Sequence, residues 1–240
     1  MVQDALVVFV DIAPDNEELL SLANAASKVV VLDHHLSARD RFESDLSLQN
    51  QLAEMGHEVH FDLEHSGAML SWQYFHPQTT APMLLQYVQD QDLWHWQLEA
   101  SREVNAAIDS HEMSFESWDE LSNQSTESLA AEGAPIVRAN RLAVSRAAGT
   151  ASPVALKAGR IEAVNANHCR SQIGHTLAER GAFGNHWGLV YRLMGDRVDC
   201  SIYSLDDLDV SKVARSYGGG GHRNASGFTV SLREWIKLLV

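Results

Sequence analysis

The chain alternates between short apolar runs and polar, turn-forming stretches. Leu6 to Ile12 is apolar apart from Asp11 and reads as a buried, parallel strand that delivers an acid at its carboxyl end. Pro14 and Asp15 follow, with Glu18 three residues after Asp15, which is a capping-box pattern. Leu19, Leu20, Leu22 and Ala23 then take helical spacing. Lys28 to Leu32 is a second buried strand, closed by Asp33, His34 and His35. Strand, helix and strand over so short a stretch make a βαβ unit, and ligands of open α/β sheets gather at the carboxyl ends of such strands.

Farther along, Ser66 to Phe75 is predicted helical and stops before Pro77. Ala81 to Val88 predicts a second helix leading into Asp90 and Asp92, and Val104 to Ile108 a third. Ser125 to Ala148, rich in Ala, Arg, Glu and Leu, predicts a long connecting helix, and Gly149 to Pro153 a break. Strands are predicted at Arg160 to Val164, Trp187 to Leu193 and Val198 to Tyr203. The last two are joined by a hairpin turn over Met194 to Arg197. A glycine run, Gly218 to Gly221, precedes His222 and a closing strand, Gly227 to Val230. The fold class is α/β in two domains, with the boundary between Ile108 and Ser152.

Composition narrows the function classes. Apolar residues make up 45% of the 240, enough for a buried core. The net charge of -14, from 32 acidic and 18 basic residues, repels a phosphate backbone at long range. Extended duplex DNA is therefore not an expected partner, whereas a small phosphorylated ligand met by local cations is. Cys169 and Cys200 make no C-x-x-C pair, so neither a zinc site nor a disulfide framework is indicated. The opening apolar run has no basic flank, and no stretch reaches membrane-spanning length. The expectation is a soluble cytoplasmic protein with no membrane partner.

Three residue sets carry candidate chemistry. A carboxylate and two imidazoles at Asp33-His34-His35 can coordinate a divalent metal and leave one imidazole for substrate. Asp11 ends the neighbouring strand, about 5 Å away, so Asp11 and His34 can share one ion. Either Asp90 or Asp92 can complete that site, although acids so placed also cap helices or face water. Gly219, Gly220 and Gly221 let backbone N–H groups approach an anion, and His222 and Arg223 can add hydrogen bonds and charge to a phosphate. A mobile loop would leave the same glycines, and Tyr217 beside them reads as packing.

Together these stretches resemble the DHH/DHHA1 phosphoesterase family, the RecJ-like and oligoribonuclease-like group. VVFVDIAP is similar to its second motif, VVVLDHH to its third, YVQDQDLW to its fourth and SYGGGGHRNASGF to the GGGH motif of its C-terminal domain. The resemblance covers nearly the whole chain. It implies a DHH metal-binding domain over 1–115, a helical linker over 116–150 and a smaller α/β DHHA1 substrate-binding domain over 151–240, with the active site in the cleft between domains. The implied activity is manganese-dependent hydrolysis of phosphoester bonds in short oligonucleotides or small nucleotides. Asp11 would bridge metals and His34 bind one. Asp90 would be the fourth-motif ligand, with Asp92 as the alternative. His35 would face the phosphate or its leaving group, and Gly219 to His222 would hold substrate.

Two departures qualify this expectation. The family's first motif, a His and two Asp on a preceding strand, has no counterpart, so one metal site is expected to be weak or absent. Tyr203 stands where the family often carries a phosphate-binding Arg. Three readings therefore stay open: an impaired phosphoesterase, a catalytically degenerate module that binds a nucleotide or nucleic-acid end, or a polypeptide whose true start lies upstream. Strands lost from the sheet would also expose an edge, and homo-oligomerisation is an expectation on that ground.

Overall fold

The computed structural model describes residues 2–205 and 208–240. The chain divides into two compact units, Met1–Arg138 and Ala139–Val240.

The first unit is built on three parallel strands in the order β1-β2-β3: β1 (Leu6–Val10), β2 (Lys28–Asp33) and β3 (Glu58–Phe61). Strand β2 is central, and its side chains divide by the two-residue period of a strand. Val29 and Val31 pack with Leu19, Ala23, Leu48 and Leu52, from α1 (Asn16–Ala23) and α3 (Leu46–Glu54). Val30 and Leu32 face the other way, against Leu70 of α4 (Gly67–Phe75). A short polar helix, α2 (Leu36–Glu43), separates the end of β2 from α3. Asp15 caps α1 by accepting the Glu18 N–H at 2.8 Å. The sequence predicts a buried β1, but β1 is an edge strand, with Leu6 59% and Val10 41% exposed.

The rest of the unit is helical: α5 (Met83–Asp92), α6 (Ser101–Ile108), α7 (Phe115–Ser122) and the start of α8 (Thr126–Ala148). Leu84, Tyr87, Val104, Ala107 and Ile108 share one core with Leu121 and Leu129. Residues 116–138 are thus packed into the first unit, where the sequence assigns them to a linker. The boundary between the units falls inside α8.

The second unit carries a six-stranded sheet in the order β4-β5-β6-β7-β9-β8. Its strands are β4 (Ser152–Leu156), β5 (Gly159–Asn165), β6 (Trp187–Met194), β7 (Arg197–Ser204), β8 (Gly220–Gly221) and β9 (Ala225–Ser231). Within this second sheet, among the described residues, β5–β6 is the one parallel pair and the others are antiparallel. The predicted hairpin joins β6 to β7, with Gly195 supplying φ +63 in its two-residue turn. One face packs Val164, Val190 and Tyr203 against Ile173 and Leu177 of α9 (Arg170–Arg180). The other packs Ile161, Leu189, Ile202 and Phe228 against Val210 and Val213 of α10 (Val210–Arg215) and Trp235 of α11 (Leu232–Ile236). Among the described residues, no helix is long and apolar enough to cross a membrane.

Candidate metal centre

The strand pairing builds the site. Val10 lies opposite Leu32, and the Asp11 N–H continues the ladder to the Leu32 carbonyl at 2.9 Å. Asp11 then turns into the left-handed region at φ +61, which few residues other than Gly, Asn and Asp enter readily. That turn brings Asp11 Oδ1 to 3.0 Å from Nε2 of the buried His34.

Asp33 organises the start of the turn after β2. Its Oδ1 accepts the His34 N–H at 2.8 Å and lies 2.7 Å from His35 Nδ1. His35 is the N-cap residue of α2, so its ring is placed by both the helix and the carboxylate. The Asp33 hydrogen bond holds the His35 imidazole above the ordinary histidine range, against the opposing effect of partial burial. With Nδ1 committed to Asp33, chemistry falls to Nε2. Asp33 is fully buried, and its second oxygen has no hydrogen-bond partner among the described residues.

The two acids at the end of α5, Asp90 and Asp92, part company. Both lie in the last turn of α5, and two residues of helix rotate about 200°. Asp90 is buried and faces the chain that follows. Its carboxylate accepts the Gln97 N–H at 2.9 Å and the Leu98 N–H at 3.3 Å, and its carbonyl accepts the His95 N–H at 2.9 Å. Burial works against its charge, but hydrogen bonds from Ser101, Gln97 and Leu98 prevail and hold the carboxyl below its usual range. Within this turn Trp94, Trp96 and Ala100 take φ of +59, +55 and +52. Asp92 points the other way, with Oδ2 3.5 Å from His34 Nε2. Desolvation pushes its carboxyl up; Asp11 adds to this and the two histidines oppose it. Asp90, the first choice from the sequence, is therefore occupied in the turn, and Asp92, the alternative, stands at the site.

Asp11, His34 and Asp92 can each offer one ligand atom within 4.8 Å of the others, and so can Asp11, Asp33 and His35. Two carboxylates around one imidazole nitrogen are a mixed oxygen and nitrogen donor set that suits a divalent first-row ion. The like charges of Asp11 and Asp92 fit the same occupant, and the unpartnered Asp33 oxygen belongs to the neighbouring Asp11, Asp33 and His35 set.

In the second unit the glycine run is a close-packed hairpin. Gly220 and Gly221 pair with Gly227 and Ser226 of β9. A methyl group on Gly219 would stand 2.0 Å from the Gly227 carbonyl oxygen, and Gly221 has φ +134. The His222 N–H closes the turn on the Ala225 carbonyl at 2.8 Å, and the Arg223 carbonyl accepts the Val210 N–H at 2.8 Å. Tyr217 stacks on Phe228 with centroids 4.6 Å apart, which is a packing role. Tyr203 is buried, its ring lying over Gly174, where a methyl group would meet it at 2.0 Å.

Sequence reasoning missed Asp33 as the anchor of His35 and Gly67 as a neighbour of Asp11. The first signal was the carboxylate two residues before His35. The second was the Ser-Gly pair opening α4.

No protein-family model matches the chain. An uncharacterized protein, R106, of Acanthamoeba polyphaga mimivirus is 27% identical in an alignment of 237 positions that covers 94% of this chain and 53% of that protein. The chain thus spans about half the length of that curated relative. Among solved structures, an exopolyphosphatase-related protein from Bacteroides fragilis superposes with a TM-score of 0.51 at 13% identity, covering 99% of this chain and 70% of that one. PggH, a pGpG-specific phosphodiesterase from Vibrio cholerae, aligns over 99% of this chain and 96% of its own at 8% identity, with a TM-score of 0.38, too low to weigh in the fold assignment. The α/β fold, which in this chain has a parallel sheet in one unit and a mixed sheet in the other, is similar to that of the exopolyphosphatase-related protein.

Proposed function

We propose that the chain is a metal-dependent phosphoesterase of the DHH/DHHA1 type, acting on phosphoester bonds of short oligonucleotides or small nucleotides. The observation that carries this reading is the convergence of Asp11, His34 and Asp92, from the ends of two adjacent parallel strands and one helix. The fold shared with an exopolyphosphatase-related protein supports it.

In this reading Asp11, His34 and Asp92 hold a divalent ion, with manganese the expected one. A bound ion of that kind polarises a phosphoryl oxygen and lowers the pKa of bound water. His35, fixed by Asp33, presents a proton at Nε2 to a phosphate oxygen or to the leaving group. The second unit supplies a candidate anion-holding loop in Gly219, Gly220, Gly221, His222 and Arg223. The acidic balance of the chain favours a short ligand over extended duplex.

A second reading keeps ligand binding without turnover. It draws on Tyr203, which is packed in the core where the family's phosphate-binding arginine is expected. Manganese-dependent release of mononucleotides from di- to pentanucleotides, with His34→Ala as the blank, separates the two. Release above the blank is the expected result. Nucleotide binding without release would select the second reading, and neither binding nor release would refute both.

A further inference from the structure

The Asp11 carboxylate lies across the first residue of α4. A methyl group on Gly67 would stand 2.4 Å from Asp11 Cβ, 2.7 Å from Cγ and 2.6 Å from Oδ1. Non-bonded carbon atoms prefer about 3.5–4.0 Å. The oxygen so crowded is the one that lies 3.0 Å from His34 Nε2. We infer that Gly67 is a positioning residue for the metal site: its missing side chain is the space in which the Asp11 carboxylate is held toward His34. The inference rests on the metal-binding reading above.

Neither partner has an easy retreat. Asp11 is fixed by its left-handed backbone and by its N–H bond to Leu32. Gly67 is fixed by the cap of its helix. Ser66 is buried, its Oγ accepts the Met69 N–H at 3.2 Å and its own N–H donates to Gln89 Oε1 at 3.1 Å. The next residues, Met69 and Leu70, are buried as well. Gln89 belongs to α5, three residues before Asp92. The helix that carries the third ligand therefore also holds Gly67 against the first. A methyl group at 67 would have to move the carboxylate, the end of β1 or the start of α4; the first two displace Asp11, and the third strains the Ser66–Gln89 bond to the helix that carries Asp92.

Gly67→Ala is an informative variant because alanine is the better helix former, so α4 itself is not weakened. Ser66→Ala is the structural control, since it removes the cap and leaves the space beside Asp11 open. Calorimetric titration with Mn²⁺ and thermal melts of the full chain should separate them. We expect Gly67→Ala to weaken Mn²⁺ binding about 10–100-fold, the usual cost of disturbing a ligand's support. Ser66→Ala should lower Tm and keep the Mn²⁺ affinity. In metal-free protein, Gly67→Ala should shift the His34 ring resonances. In an Asp11→Gly background, which removes the side chain the methyl would meet, it should leave them unmoved. Wild-type Mn²⁺ affinity in Gly67→Ala, or the same His34 shift in both backgrounds, would overturn the inference. If the wild type takes up no Mn²⁺, the metal-binding reading fails, and the His34 comparison still decides the positioning role.

Discussion

Asp90 and Asp92 stand two residues apart on the last turn of α5, and their carboxylates serve opposite sides of it. Asp90 ties down the turn that follows through Gln97 and Leu98, while Asp92 lies 3.5 Å from His34. Substitution should therefore separate stability from metal binding. Asp90→Ala leaves two N–H groups without their charged acceptor and should cost about 2–4 kcal/mol, read as a lower Tm, with Mn²⁺ affinity kept below the transition. Asp92→Ala should leave Tm nearly unchanged and weaken Mn²⁺ binding by an order of magnitude or more. The opposite pattern would return the ligand role to Asp90.

Asp33→Asn tests the Asp33–His35 contact. The Asp33 hydrogen bond is the largest cause of the raised His35 pKa, so the variant's His35 should titrate at lower pH in an NMR pH series. Between the two pKa values the wild-type ring is charged and the variant ring neutral, and a proton-donating role would be lost first in that window. A loss of about 10²–10⁴-fold in mononucleotide release is expected for a disabled proton donor. An unmoved His35 titration would show that Asp33 does not set it.

The glycine hairpin makes a graded prediction. Gly219→Ala places a methyl group 2.0 Å from a backbone oxygen of β9 and should open the β8–β9 pair. Gly218→Ala meets nothing within 4 Å and bears only the strain of φ +81, about 1–3 kcal/mol. Titration with inorganic phosphate and mononucleotides should show strong loss for Gly219→Ala and little for Gly218→Ala. Equal, undiminished binding in both would remove the loop from the ligand site.

Glu58 on β3 provides an acid-stability test. Hydrogen bonds from Lys28, His60 and the Tyr74 hydroxyl lower its carboxyl to about 2. A depressed folded-state pKa gives stability that is complete above the unfolded value and is lost as pH falls from about 4.5 to about 2. The Glu58 side chain is 34% exposed, so solvent screening keeps the contribution to about 1 kcal/mol. Urea melts of Glu58→Gln and wild type should differ at pH 7 and converge near pH 2. A difference that persists at pH 2 would assign the effect to packing.

Much of this architecture was legible because its elements announce themselves by period and punctuation. The runs of β1 and β2 end in acids, α8 is one helix from Thr126 to Ala148, and Gly195 marks the β6–β7 turn. Helix α2 was not legible, since LSARDRFE buries only Ala38 and so shows no apolar stripe. Helix α9 was hidden by Gly174, a poor helix residue kept small by the ring of Tyr203 that lies on it. The choice between Asp90 and Asp92 depends on helical phase at the end of α5. The sequence predicts that helix only to Val88, and no pattern of letters fixes the phase of residues beyond a predicted end.

The outer side of β1 has a consequence for hydrogen exchange. The Asp11 N–H points to β2, and the groups of a strand alternate in direction, so Val7 and Phe9 share that side while Leu6, Val8 and Val10 point outward. Among the described residues no strand pairs with that outer edge. Deuterium should therefore enter this single strand at two speeds, rapidly at residues 6, 8 and 10 and slowly at 7, 9 and 11. Any chain that adds itself to the edge, from another copy or another protein, would slow the first set and leave the second as it was, so three backbone amides report whether the edge is occupied.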